Sequence, residues 1–218
     1  LPPGLLIGKL PPDIGFRSIG ADDADEKTLL ALLSDAEQER FRSIRHPKAR
    51  RHFLFGRSAL RLLLAERMAL DPVSVPLVVA PDGGVDVFES DLRVSIAHAG
   101  EWGVAVAAPR MVGVDLERIR PRSPDVVRFM LDPSERDEYE ALPLDPVRRL
   151  ILYWTLKESV LKALRTGFRR SPKRVRFAVQ IEEESGVAFL EDGASLALRF
   201  QEYEGYYVAV AFAPANAG

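Results

Sequence analysis

Residues 151–170, ILYWTLKESVLKALRTGFRR, decide how the rest of the chain is read. Leu152, Val160, Leu161 and Leu164 put apolar side chains on one side of a 3.6-residue repeat, with good helix formers between them. The segment predicts an amphipathic helix, the core of a longer one over 145–166. Glu158 and Lys162, four residues apart, leave one face about a turn apart, with Trp154 one turn earlier. Taken alone, such a Glu–Lys pair is an ordinary surface ion pair and such a Trp an ordinary core residue. The rest of the chain gives this stretch a different reading.

Working outward, MVGVDLERI at 111–119 alternates Val112, Val114 and Leu116 with Gly113, Asp115 and Glu117. That pattern predicts a strand burying one face and placing both carboxylates on the other. Further strands are expected near 5–9, at 75–79, 92–97, 102–108, 175–179, 195–200 and 206–212. Pro81–Gly84 reads as a turn, and short helices are expected over 124–131 and 134–142. A capping-box pattern, Ser34-Asp-Ala-Glu37, opens a helix to about Ser43. Pro47 then sits at a first helical position for a second long helix to Met68, with Phe53, Leu60, Leu63 and Leu64 as its core face. Arg50-Arg-His-Phe-Leu-Phe55 aligns with Arg148-Arg-Leu-Ile-Leu-Tyr153 at an offset of 98 residues, nearly half the chain. Duplication explains the match, and chance similarity between two amphipathic helices is the alternative. The expected fold class is therefore α+β: two similar α+β halves, 1–108 and 109–218, forming an intramolecular pseudo-dimer with the site in the cleft between them.

Composition narrows the function. Thirty Lys and Arg against 32 Asp and Glu give a net charge of −2, so no global basic excess points to nucleic acid. There is no cysteine, hence no disulfide framework, thiol nucleophile or thiolate-held metal. No apolar run approaches the length of a membrane span. The apolar start, LPPGLLIGKLPP, is broken by prolines and lacks a basic leader, so it does not read as a signal peptide. A cytoplasmic, monomeric enzyme is the expectation.

Asp115, Glu117 and Glu158 would supply three hard oxygen ligands from two elements, a set suited to Mg²⁺ bridging substrate phosphates, with Mn²⁺ also accommodated. Lys157 and Lys162 on the same helix would neutralise those phosphates, and Glu158 or a metal-bound water would accept a proton. Arg51, Arg57 and His98 from the other half would hold further phosphate charge. His98, on a strand with Val94 and Ile96, also reads as an ordinary partly buried histidine. Jointly these residues specify a polyphosphate ligand plus Mg²⁺.

Val112-Gly-Val-Asp-Leu-Glu-Arg118 followed by Trp154-Thr-Leu-Lys-Glu-Ser-Val-Leu-Lys162 resembles the paired signature of the 4′-phosphopantetheinyl transferases. Gly56-Arg57 with Leu60-Arg61, Ile96-Ala-His-Ala-Gly100 and Phe129-Met-Leu-Asp-Pro-Ser-Glu135 resemble further family segments. Size and plan look like the monomeric, surfactin-type subgroup, in which coenzyme A binds between two α+β halves. The resemblance implies transfer of the phosphopantetheine arm of coenzyme A to a serine of an apo acyl or peptidyl carrier protein, with release of adenosine 3′,5′-bisphosphate. Carried over by position, it implies Asp115, Glu117 and Glu158 as metal ligands, Glu158 also as base, and Lys162 on the transferring phosphates with Lys157 assisting. His98 and Arg51, with Arg57, would bind the nucleotide.

The sequence departs from the family at Ala97 and Ala99, where serine is usual, and at Gly83-Gly84-Val85, where a basic residue is usual. A weaker grip on coenzyme A is expected. Arg169, Arg170, Lys173, Arg174 and Arg176 form a basic run that is a candidate surface for the acidic carrier, or a solvated loop. A degenerate relative that binds without turnover and a Mg²⁺-dependent nuclease are the competing readings; the three carboxylates and Lys162 oppose the first, the near-neutral charge the second.

Overall fold

The computed structural model describes residues 9–80, 83–123, 125–167 and 170–215. Outside them lie the expected strand at 5–9 except Lys9, Pro81 and Asp82 of the expected turn, Arg169 of the basic run and the last three residues. The chain divides into two compact units, Leu1–Pro109 and Arg110–Gly218. Both are α+β, with a long helix laid on antiparallel strands. Among the described residues no helix is long and apolar enough to cross a membrane.

The first unit runs β1 (Gly15–Gly20), α1 (Glu26–Leu30), α2 (Asp35–Ser43), α3 (Pro47–Met68), β2 (Leu77–Val79), β3 (Val85–Val87), β4 (Arg93–Ala99) and β5 (Trp102–Ala108). Its main sheet has the order β1-β5-β4, all antiparallel, and β2 and β3 form a separate hairpin. Glu37 returns to the Ser34 N–H at 3.1 Å and so starts α2 as the capping pattern predicts. Leu54, Phe55, Leu60, Leu63 and Leu64 join Ala105 and Ala107 of β5 in the core. Phe53, expected in that core, is only half-buried. A Cβ at Gly103 would lie 2.6 Å from the backbone of Phe55 and Gly56, so β5 meets α3 almost backbone to backbone.

The second unit runs β6 (Val112–Arg118), α4 (Asp125–Met130), α5 (Arg136–Ala141), α6 (Pro146–Ala163), β7 (Val175–Gln180), β8 (Ser185–Leu190), β9 (Ser195–Tyr203) and β10 (Tyr206–Phe212). The strands form one sheet of order β6-β10-β9-β8-β7. Asp145 caps α6 by accepting from the Val147 and Arg148 N–H groups, each at 3.0 Å. The helix ends at Ala163, earlier than expected, and Arg165 just beyond it takes φ +55. Ile151, Leu152, Leu156 and Val160 are buried against β7, β9 and β10 residues such as Phe177, Leu198, Ala209 and Ala211. A Cβ at Gly113 would fall 2.2 Å from Ser159 O and 2.3 Å from Ala163 N, so only glycine lets β6 lie this close to α6.

The two units repeat one plan. The strand order β1-β5-β4 matches β6-β10-β9, and the registers agree: Arg17 faces Ala105 as Asp115 faces Ala209. Four elements escape the sequence reading: α1, β1, β3 and β8. In β1, GFRSIG lacks a clean alternation, and pairing with β5 holds it extended.

Candidate active site

The carboxylates of the second unit gather where β6 meets α6. The alternation in β6 holds, but its carboxylate face is covered by the helix, so Asp115 is buried instead of open to solvent. Its Oδ1 accepts from Lys162 Nζ at 2.7 Å, while Oδ2 is buried with no hydrogen-bond partner. Glu117 Oε1 accepts from Trp154 Nε1 at 3.0 Å and Oε2 from Arg122 at 2.6 Å. Trp154 is thus an orienting donor, one turn from Glu158.

Electrostatics show how close these groups stand. Burial pushes Asp115 up to about 6, with Lys162 opposing and Glu117 reinforcing. Burial and then the Asp115 charge push Glu158 up to about 7, with Lys162 opposing and Glu117 adding a further upward push. Three acids crowd one place, with Lys162 on Asp115 and Arg122 on Glu117 as the paired cations, a cost expected at a functional site. No three His, Asp or Glu side chains among the described residues are arranged as a finished metal cage. Lys162, Arg122 and Trp154 take several of the oxygens. The donor set nonetheless fits a hard divalent cation: all oxygen, triply acidic, with one buried carboxylate oxygen unpartnered.

The first unit has no such cluster at the matching place. Where β6 carries Asp115 and Glu117, β1 carries Arg17 and Ile19, and Arg17 pairs with Glu66 of α3 at 2.7 Å. The strand-acid to helix-base pair of one unit, Asp115 with Lys162, is thus reversed in the other, where the strand supplies the base and the helix the acid.

Two expected phosphate contacts are placed elsewhere. Lys157 is buried, its ammonium donating to Glu135 Oε2 at 2.7 Å, Val175 O at 2.7 Å and Pro172 O at 3.0 Å. An ammonium has three N–H donors, and the fold uses all three. The expectation that Lys157 touches ligand phosphate is therefore corrected: it faces away from the carboxylates. Arg57, by contrast, is set apart from Arg51. Six residues along a helix turn it well away from Arg51. It stacks on Phe53 at 5.6 Å and stands 3.6 Å from Glu37 Oε1.

Arg51 and His98 do share a neighbourhood in the first unit. The His98 ring stacks on His52 with centroids 4.3 Å apart, His52 Nε2 lies 3.1 Å from Gly100 O, and Arg51 pairs with the nearby Glu101. His52, whose pKa burial lowers, was missed by the sequence reading although it adjoins Arg51. Ala97 is 2% exposed while His98 is exposed. Neighbouring strand residues point to opposite faces, so a hydroxyl at 97 would not join His98.

The family model described as "4'-phosphopantetheinyl transferase superfamily" matches residues 111–211, the span holding all three carboxylates and Lys162. The 4'-phosphopantetheinyl transferase HetI of Nostoc sp. is 31% identical over 181 residues, 78% of this chain and 75% of that protein. The chain belongs to the 4′-phosphopantetheinyl transferase family. A phosphopantetheinyl transferase of Thraustochytrium sp. is 32% identical over 197 residues, 79% of this chain and 66% of that protein. A Bacillus subtilis 4'-phosphopantetheinyl transferase is 25% identical over 172 residues, 78% of this chain and 76% of its own. In this transferase the buried Asp115 and the acid-crowded Glu158 lie within the matched span, whereas the Arg51 and His98 group precedes it.

Proposed function

We propose that this enzyme transfers the 4′-phosphopantetheine arm of coenzyme A to a serine hydroxyl of an apo acyl or peptidyl carrier protein. It would act as a cytoplasmic monomer and require Mg²⁺, with Mn²⁺ as a substitute. The observation that carries this reading is the Asp115, Glu117 and Glu158 cluster, neutralised only in part by Lys162 and Arg122 and holding an unpartnered buried oxygen. Asp115, Glu117 and Glu158 would hold the cation, which when bound supplies charge neutralisation to the pyrophosphate.

Chemically, the serine oxygen attacks the β-phosphorus, the bond to the bridging oxygen breaks, and adenosine 3′,5′-bisphosphate leaves. Little covalent chemistry falls to the protein, which must position the reactants and stabilise charge. Glu158 would accept the serine proton, directly or through water. Lys162, about a third exposed, can leave Asp115 and meet the developing phosphate charge. Arg51 and His98 would bind the nucleotide phosphates, with Arg57 and Lys157 serving the fold. Arg170, Lys173, Arg174 and Arg176 are the proposed basic surface for an acidic carrier, with Arg174 already paired to Glu191 at 3.4 Å.

Lys162→Ala tests this directly. A charge contact made to the transferring group is worth about 10²–10³ in kcat. The variant should fold and lose turnover on that scale; wild-type turnover in a folded Lys162→Ala enzyme would reject the assignment.

A further inference from the structure

The two units build the same buried cage around different cations. In the second, Lys157 of α6 reaches Glu135, which closes a capping box on Asp132, and the carbonyls of Pro172 and Val175. In the first, Arg61 of α3 reaches Glu37, which closes the capping box on Ser34. Arg61 also donates to Val73 O at 3.1 Å, to Val75 O at 3.3 Å and to Pro72 O. Both cations are almost fully buried, at 2% and 1% exposure for Arg61 and Lys157. Each ties its long helix to a preceding capping-box turn and to a following Pro-led 3₁₀ turn, Pro72–Ser74 or Pro172–Arg174.

The second cage adjoins chemistry. Lys157 and Glu158 are consecutive, about 100° apart around α6. On one side the helix is held by Lys157; on another Ser159 and Ala163 rest against Gly113. Glu158 projects from the helix between these two anchors, and the Asp115 charge bears on its carboxylate. Side-chain tips stand about 5–6 Å from a helix axis, so a rotation of ~10° would carry a carboxylate about 1 Å. A misplacement of that size costs about 10²-fold in rate.

We propose that Glu135 and Lys157 are positioning residues for Glu158: their buried pair, with the Pro172 and Val175 carbonyls, fixes the rotation of α6 that sets the Glu158 carboxylate against Asp115. They touch neither nucleotide nor carrier. The inference rests on the proposed role of Glu158. It predicts that arginine substitutes for Lys157, because the first unit closes the same cage on Arg61.

The test compares wild type, Lys157→Met, Lys157→Arg and Glu135→Gln, each confirmed folded by circular dichroism, in transfer assays that vary coenzyme A. Lys157→Met should lose about 10²-fold in kcat with a KM for coenzyme A within about twofold of wild type. Lys157→Arg should regain most of the rate. Should Lys157→Met fail to fold, Glu135→Gln keeps an acceptor for the ammonium and should show a smaller kcat loss, again at constant KM. A raised KM with kcat unchanged, or a folded Lys157→Met enzyme at wild-type rate, overturns the proposal. Crystal structures of wild type and a folded variant report the same point without turnover. The Glu158 carboxylate should shift by about 1 Å against Asp115, and no shift overturns the proposal even if wild type proved inactive. Inactive wild type with the shift present would refute only the transferase reading.

Discussion

Replacing Glu158 by glutamine should stabilise the protein above neutral pH while abolishing transfer. Burial and the Asp115 charge push Glu158 from 4.5 up to about 7, despite Lys162. A carboxyl with a higher pKa folded than unfolded binds more protons in the native state. Its stabilisation is therefore present below about 4.5 and lost as pH rises through about 7. At ~1.4 kcal/mol per pH unit the shift sets an upper bound of about 3 kcal/mol. Partial exposure of Glu158 and screening reduce this to about 2 kcal/mol. Glutamine, neutral at every pH, escapes that cost. Urea unfolding of both proteins in EDTA measures it. The midpoints should nearly coincide at pH 4, and the variant should be more stable by about 2 kcal/mol at pH 8. A gap independent of pH, or a less stable variant at pH 8, would refute the electrostatic account of the cluster.

Gly113→Ala should force β6 from α6, because the new Cβ meets Ser159 O and Ala163 N. Overpacking costs about 1–3 kcal/mol, read as a lowered urea midpoint, and an unchanged midpoint would contradict the close approach. His98→Ala should raise the KM for coenzyme A about tenfold, as loss of one charge-assisted hydrogen bond implies, leaving the carrier KM unchanged. An effect on the carrier KM alone would move His98 out of the nucleotide contacts. Steady-state kinetics decide between the two.

What the sequence discloses follows periodicity. Helices α3 and α6 and strand β6 are visible because their apolar repeats are long, and the 98-residue offset exposes the duplication that the matched registers of β1 and β6 make explicit. Strand β1 is hidden because six residues flanked by glycines carry no alternation and depend on β5. Within the candidate site, strand spacing pairs Asp115 with Glu117 and helix spacing pairs Glu158 with Lys162, while the family resemblance implies that the two pairs meet. The burial of Asp115 does not, since alternation in a strand cannot tell a helix-covered face from an open one. Lys157 illustrates the same limit. Next to Glu158 in sequence, it turns about 100° away and is captured by Glu135, a residue 22 positions earlier. Its true partners required the capping box at Asp132 and the turn at Pro172, which no helical spacing encodes.

The most direct test of the central claim is intact mass of apo acyl and peptidyl carrier proteins after incubation with this protein, coenzyme A and Mg²⁺. The account predicts a phosphopantetheine mass gain that EDTA and Glu158→Gln abolish. No gain on any carrier, or a gain that survives both, would contradict it.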